Sequence, residues 1–210
     1  MEKIVIQGPA GRIQAALHIV DASVSDFLII CHPHPQFGGS MDNKVVTTLG
    51  KSYLDAGINV IRFNYRGVGE SEGHYGDISG EVEDGLAVFK WLTDNHSVER
   101  LFLAGFSFGS YIAAKLAKDL LDTGITMPHL LMVAPSVENS PFSQATPLAV
   151  PCTVIMGRKD EIVPYNSVEN WVHEQSPLVQ FIELPEATHF FHGQLIVLKK
   201  HLSSLLNGLV

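Results

Sequence analysis

Leu101-Phe102-Leu103-Ala104-Gly105-Phe106-Ser107-Phe108-Gly109 decides the fold. Its first four residues are uncharged and apolar, the composition of a strand covered on both faces. Downstream, Ile112, Ala113, Leu116, Ala117, Leu120 and Leu121 recur at helical spacing until Gly124 stops the pattern. The pentad between them is G-x-S-x-G. A strand that turns into a helix within five residues has no room for side chains at the two glycine positions. It leaves the central hydroxyl exposed above the sheet, at the positive end of the helix. A serine held that way suits attack on a carbonyl.

Moving outward, the same alternation continues. Apolar runs at Phe27–Cys31, Ile58–Phe63, Leu101–Ala104, Leu130–Ala134, Thr153–Met156 and Val179–Leu184 read as strands. Helical segments are expected at Asn43–Ala56, capped by Asp42 and stopped by Gly57, and at Glu81–Asn95, Ser110–Asp122, Asn166–Glu174 and Gln194–Leu206. Continuous rather than alternating hydrophobicity is the mark of parallel strands, and strand–helix alternation argues an α/β sheet with helices on both faces. Ahead of this pattern, Lys3–Gln7 and Ile13–Ile19 flank Gly8-Pro9-Ala10-Gly11, an antiparallel hairpin signal. The loop Pro135–Val150 has room for one short helix and is too small for a cap domain.

Composition narrows the function. A length of 210 residues predicts a single domain spanning 1–210. The net charge of −8, with no lysine- or arginine-rich block, argues against nucleic acid or an anionic membrane as partner. Met1-Glu2-Lys3-Ile4 shows no cationic region followed by a long apolar stretch, so no signal peptide is expected, and the longest uncharged apolar stretch, Leu101 to Ala114, is too short and too glycine-rich to span a bilayer. The expectation is therefore a cytoplasmic protein. Cys31 and Cys152 lie in or beside strands and are expected to be reduced and buried. The apolar tail Leu205-Leu206-Asn207-Gly208-Leu209-Val210 offers a surface for packing on the domain itself or for a homo-oligomer.

A serine hydroxyl needs a base within hydrogen-bond reach, and that base needs an orienting carboxylate. Asp160 follows the strand ending near Gly157, and His189 follows the last strand, in Pro185-Glu186-Ala187-Thr188-His189. Both fall in loops after strands, on the sheet edge where Ser107 emerges and where open α/β sheets bind ligands. Glu161 is the alternative acid and His192 the alternative base. An oxyanion hole needs two N–H donors. One is the Phe108 amide; the other is expected in the loop His32-Pro33-His34-Pro35-Gln36-Phe37-Gly38-Gly39-Ser40-Met41. Prolines carry no N–H, so His34 is first choice, with Gln36 and Phe37 as fallbacks. Phe37, Met41, Phe106, Phe108 and Phe142 are candidates for an apolar acyl pocket.

These residues resemble the α/β-hydrolase superfamily. The pattern is nearest to small, capless bacterial members with an H-P-H-P loop followed by G-G-x-M-x-N, here His32–Pro35, Gly38, Gly39, Met41 and Asn43. Arg66-Gly67-Val68-Gly69-Glu70-Ser71 resembles the superfamily's R-G-x-G-x-S loop. Pro33 departs from the His-Gly pair of many relatives. The resemblance implies a doubly wound, mostly parallel sheet of about eight strands and a Ser-His-Asp hydrolase. Acyl transfer on a small-molecule ester or thioester follows as the expected chemistry, with no cofactor. A serine peptidase on short peptides and a non-catalytic binding protein retaining the fold are the alternatives.

Two competing motifs carry less. His32-x-His34 has a zinc-ligand spacing, but no third ligand follows and prolines flank both histidines, so no metal is expected. Gly67 and Gly69 suggest a phosphate loop, yet no lysine follows and no helix starts there.

Overall fold

A computed structural model describes residues 1–148, 150–175, 177 and 179–209. Among these residues, eight strands form one sheet: β1 (Glu2–Gly8), β2 (Gly11–His18), β3 (Asp26–Cys31), β4 (Asn59–Phe63), β5 (Arg100–Phe106), β6 (Leu130–Val133), β7 (Cys152–Gly157) and β8 (Val179–Leu184). Their spatial order is β1-β2-β4-β3-β5-β6-β7-β8. From β4 to β8 every pairing is parallel, whereas β2 runs antiparallel to both β1 and β4. Five helices flank it: α1 (Lys44–Asp55), α2 (Ser79–Asn95), α3 (Phe108–Asp119), α4 (Tyr165–His173) and α5 (Leu195–Leu206). The order reverses around β3 and β4, so the carboxyl ends of β3 and β5 open a crevice outside the sheet.

The central strands are buried along their length. Phe27–Cys31, Leu101–Phe106 and Leu130–Val133 have essentially no exposed surface, as continuous apolar runs covered by helices require. Both cysteines are buried thiols, and burial pushes Cys31 up to about 12.

Several boundaries differ from the sequence expectation. Asn43, not Asp42, caps α1: its side chain accepts the Val45 N–H at 2.8 Å, while Asp42 faces Arg62. α2 starts two residues early because the Glu81 carboxylate turns back to accept the Gly76 and Ile78 N–H groups, each at 2.9 Å. α3 begins at Phe108, directly on the elbow. Within Pro135–Val150 the helical content is one 3-10 turn, Phe142–Gln144, with Ala149 outside the described residues. Val210 of the apolar tail also lies outside them, and Leu206 is buried against the domain's own core. No helix among the described residues is long and apolar enough to cross a membrane.

Candidate active site

Sterics build the elbow. A Cβ added at Gly105 would lie 2.1 Å from the Gly109 carbonyl oxygen, and one at Gly109 would lie 2.2 Å from that of Cys31. Helix α3 can therefore start this close to β5 and β3 only with glycine at both positions. Ser107 sits between them at φ 54°, ψ −119°, a left-handed backbone costing roughly 1–3 kcal/mol that its surroundings must enforce. They do so through three groups. The Ser107 N–H donates to Val133 O at 2.8 Å. The Ser110 N–H donates to Ser107 O at 2.9 Å. The Ser110 hydroxyl bridges to Gly105 O and Val133 O.

Asp160 and His189 meet in loops following β7 and β8. His189 Nδ1 and Asp160 Oδ2 are 2.8 Å apart, and both side chains are almost wholly buried. The other carboxylate oxygen of Asp160 accepts the Ile162 and Val163 N–H groups at 2.9 and 2.7 Å. A carboxylate so held has one free oxygen for the imidazole, which fixes the His189 tautomer with its proton on Nδ1 and leaves Nε2 as the acceptor. Phe106 and Phe190 brace the imidazole, with ring centroids 5.1 and 5.0 Å away. Glu161, the alternative acid, accepts the His189 backbone N–H at 3.1 Å and ties the two loops together. His192 is exposed beside Phe190.

Ser107 and His189 line one cavity of about 300 Å³ with Pro33, His34, Phe37, Gly38, Gly39, Asn43, Ile162 and Phe190. Its wall is apolar. Of the proposed acyl-pocket residues only Phe37 lines it, at the rim and 85% exposed. Met41 is buried, and Phe106, Phe108 and Phe142 belong to the core. Asn43, Ile162 and Phe190 were not foreseen as lining residues. A helix cap and two apolar residues next to a candidate acid or base carry no sequence signal of their own.

The loop at residues 32–41 is set by long-range bonds. His32 is fully buried, donates from Nδ1 to Pro33 O at 2.7 Å and accepts the Tyr65 N–H on Nε2 at 3.1 Å. Burial, with His34 nearby, pushes its pKa down to about 3, against the Pro33 hydrogen bond, which favours the charged ring. Further along, the Met41 N–H donates to Asn64 Oδ1 at 2.8 Å. The 3-10 turn Pro35–Phe37 uses the fallback donors: the Gln36 N–H points to His34 Nδ1 and the Phe37 N–H to His34 O. Among the described residues, the N–H groups of His34 and Phe108 have no protein acceptor. The His34 ring packs on Phe108 and Phe37, with Nε2 3.4 Å from Tyr75 Oη, and burial lowers its pKa. No cluster of three His, Cys, Asp or Glu side chains suited to a metal occurs among the described residues.

Lidless site and eight-stranded sheet agree with what known proteins share. The family model described as "Serine aminopeptidase, S33" (Hydrolase_4) matches residues 22–148, more than half the chain, and the chain belongs to this α/β serine hydrolase family. An α/β serine hydrolase homologue from Coxiella burnetii superposes with a TM-score of 0.89 at 42% identity, over 98% of this chain and 97% of that one. A lidless α/β serine hydrolase from Xanthomonas campestris gives 0.87 at 34% identity, over 97% and 92%. An uncharacterized protein of Rickettsia prowazekii is 32% identical over 91% of this chain and 82% of its own length.

Proposed function

We propose that this chain hydrolyses small carboxylic esters or thioesters by acyl transfer. Ser107 attacks the carbonyl as His189 Nε2 takes its proton. Asp160 holds the imidazole and stabilises its charged form. The developing oxyanion is received by the Phe108 and His34 N–H groups, at the positive end of α3. His189 then protonates the leaving group, and water, deprotonated by the same imidazole, releases the acid.

The carrying observation is the buried, hydrogen-bonded Asp160–His189 pair opening on the cavity that also holds Ser107. The apolar wall favours an uncharged acyl group, and the cavity volume suits a small one. The family description favours a second reading, an aminopeptidase. Such an enzyme needs a carboxylate to hold the substrate's ammonium group. None of the described cavity-lining residues is acidic, which favours the ester. A panel of nitrophenyl esters and matching thioesters of graded chain length, run beside an aminoacyl anilide, tests this. The expected result is turnover of short esters or thioesters that vanishes in Ser107→Ala. Turnover of the anilide alone would overturn it.

A further inference from the structure

A second cavity, of about 410 Å³, lies between α1 and the β2–β4 pair, and it shares no lining residue with the first. The sheet register explains it. His18 pairs with Val60 and Ala16 with Arg62, so these four side chains share the face turned toward α1. Opposite them stands Gly50, where an added Cβ would touch Val60 and Arg62 at 3.5 Å. Small residues at 16 and 50, with Leu54 and Val60, leave a pit with an apolar floor.

His18, Arg62 and Lys51 also line the pit. The Nε2 of His18 is buried and has no hydrogen-bond partner among the described residues. An orphaned buried ring nitrogen is costly unless something occupies it. Arg62 spends Nη1 on Met41 O and Asp42, and its Nη2 meets only the thioether of Met1, a weak acceptor. Lys51 stands at the mouth, exposed. Asp55, the acid in the lining, pairs with Lys199 at 2.6 Å. Burial, then the chain's amino terminus and Arg62, lower the His18 pKa, as expected in a positive surrounding.

We infer that this cavity binds a small amphiphilic anion, a carboxylate or phosphate on an apolar body, with its head on His18 Nε2, Arg62 and Lys51 and its tail over Ala16, Leu54 and Val60. The head exchanges hydrogen bonds with three donors, two of them charged; the tail fills space too apolar to hold water well. A cation is disfavoured because Asp55, the one lining carboxylate among the described residues, is already paired with Lys199.

Titration calorimetry on the full chain with hexyl phosphate and hexanoate, against inorganic phosphate and hexanol, tests the site. The expected result is binding of one or both alkyl anions, with the bare ion and the alcohol at least about tenfold weaker. Which head binds tighter separates the two sources of the anion. His18→Gln and Lys51→Met should each lower that affinity by about tenfold, while Ser107→Ala leaves it unchanged. Lys51 is exposed, so its substitution does not threaten folding. No binding up to about 10 mM, equal binding by both variants and the parent, or loss of binding in Ser107→Ala would overturn the proposal.

Discussion

His32 and His189 are both buried imidazoles at the carboxyl edge of the sheet, yet their ring nitrogens meet different partners. His32 has each nitrogen taken by backbone, Pro33 O on one side and the Tyr65 N–H on the other. His189 has one nitrogen on a carboxylate and faces a cavity that Ser107 shares. Burial alone therefore does not mark an active histidine. What distinguishes the two is whether a ring nitrogen is left for chemistry, and whether the other partner can stabilise a positive ring.

The sharpest way to break the comparison is to change the partner of His189. Asp160→Asn keeps the shape but takes away the charge and turns the imidazole to the wrong tautomer. The expected loss in kcat on a short ester is about 10⁴-fold with the fold intact, read by steady-state kinetics and circular dichroism. A loss below about tenfold would make Asp160 a structural residue. His32→Leu should invert that pattern. It strands the Tyr65 N–H and Pro33 carbonyl in the interior and costs roughly 2–4 kcal/mol, measurable by urea unfolding, with activity falling only as the loop shifts. An Asp160-like loss of kcat at unchanged stability would mean that His32 takes part in the chemistry.

Acid titration reports on the buried histidines outside the candidate site. Burial holds His32 at about 3, and it holds His129, which precedes β6 with Nε2 2.9 Å from Thr153 Oγ1 of β7, at about 4, both below the unfolded histidine value. The unfolded chain thus binds protons that the folded chain refuses, so stability rises with pH and falls as pH drops below about 6.5. Between about pH 6 and pH 5 the slope should shrink by one proton in His129→Gln. An unchanged slope would show that His129 is protonated in the folded protein. The smallest effect is expected from Glu161→Gln. It weakens only the contact to the His189 backbone N–H and should lower kcat a few-fold, with KM unchanged.

Local rules explain which parts of this molecule could be read from its sequence. The elbow is a steric statement about two glycines, and each apolar run that becomes a strand carries its burial in its composition. That Asp160 and His189 meet was legible for a related reason, since each lies in a loop directly after a strand. The oxyanion loop was only half legible. Prolines exclude donors locally, but what leaves the His34 amide free while those of Gln36 and Phe37 are used is a 3-10 turn among the described residues. The loop carrying that turn is anchored at its ends, His32 by Tyr65 and Met41 by Asn64, 33 and 23 residues away in sequence, and no local pattern announces them. The cap of α1 was missed because Asp42 and Asn43 are equally good caps in isolation; Arg62 draws Asp42 aside.

The central claim is that Ser107 is a nucleophile activated by His189, and one measurement reaches it directly. Incubate the protein with a fluorophosphonate and record intact mass, then repeat with Ser107→Ala. The account predicts a single phosphonyl adduct that maps to Ser107 and is absent from the variant. An unmodified parent chain, or an adduct that survives Ser107→Ala, would contradict it.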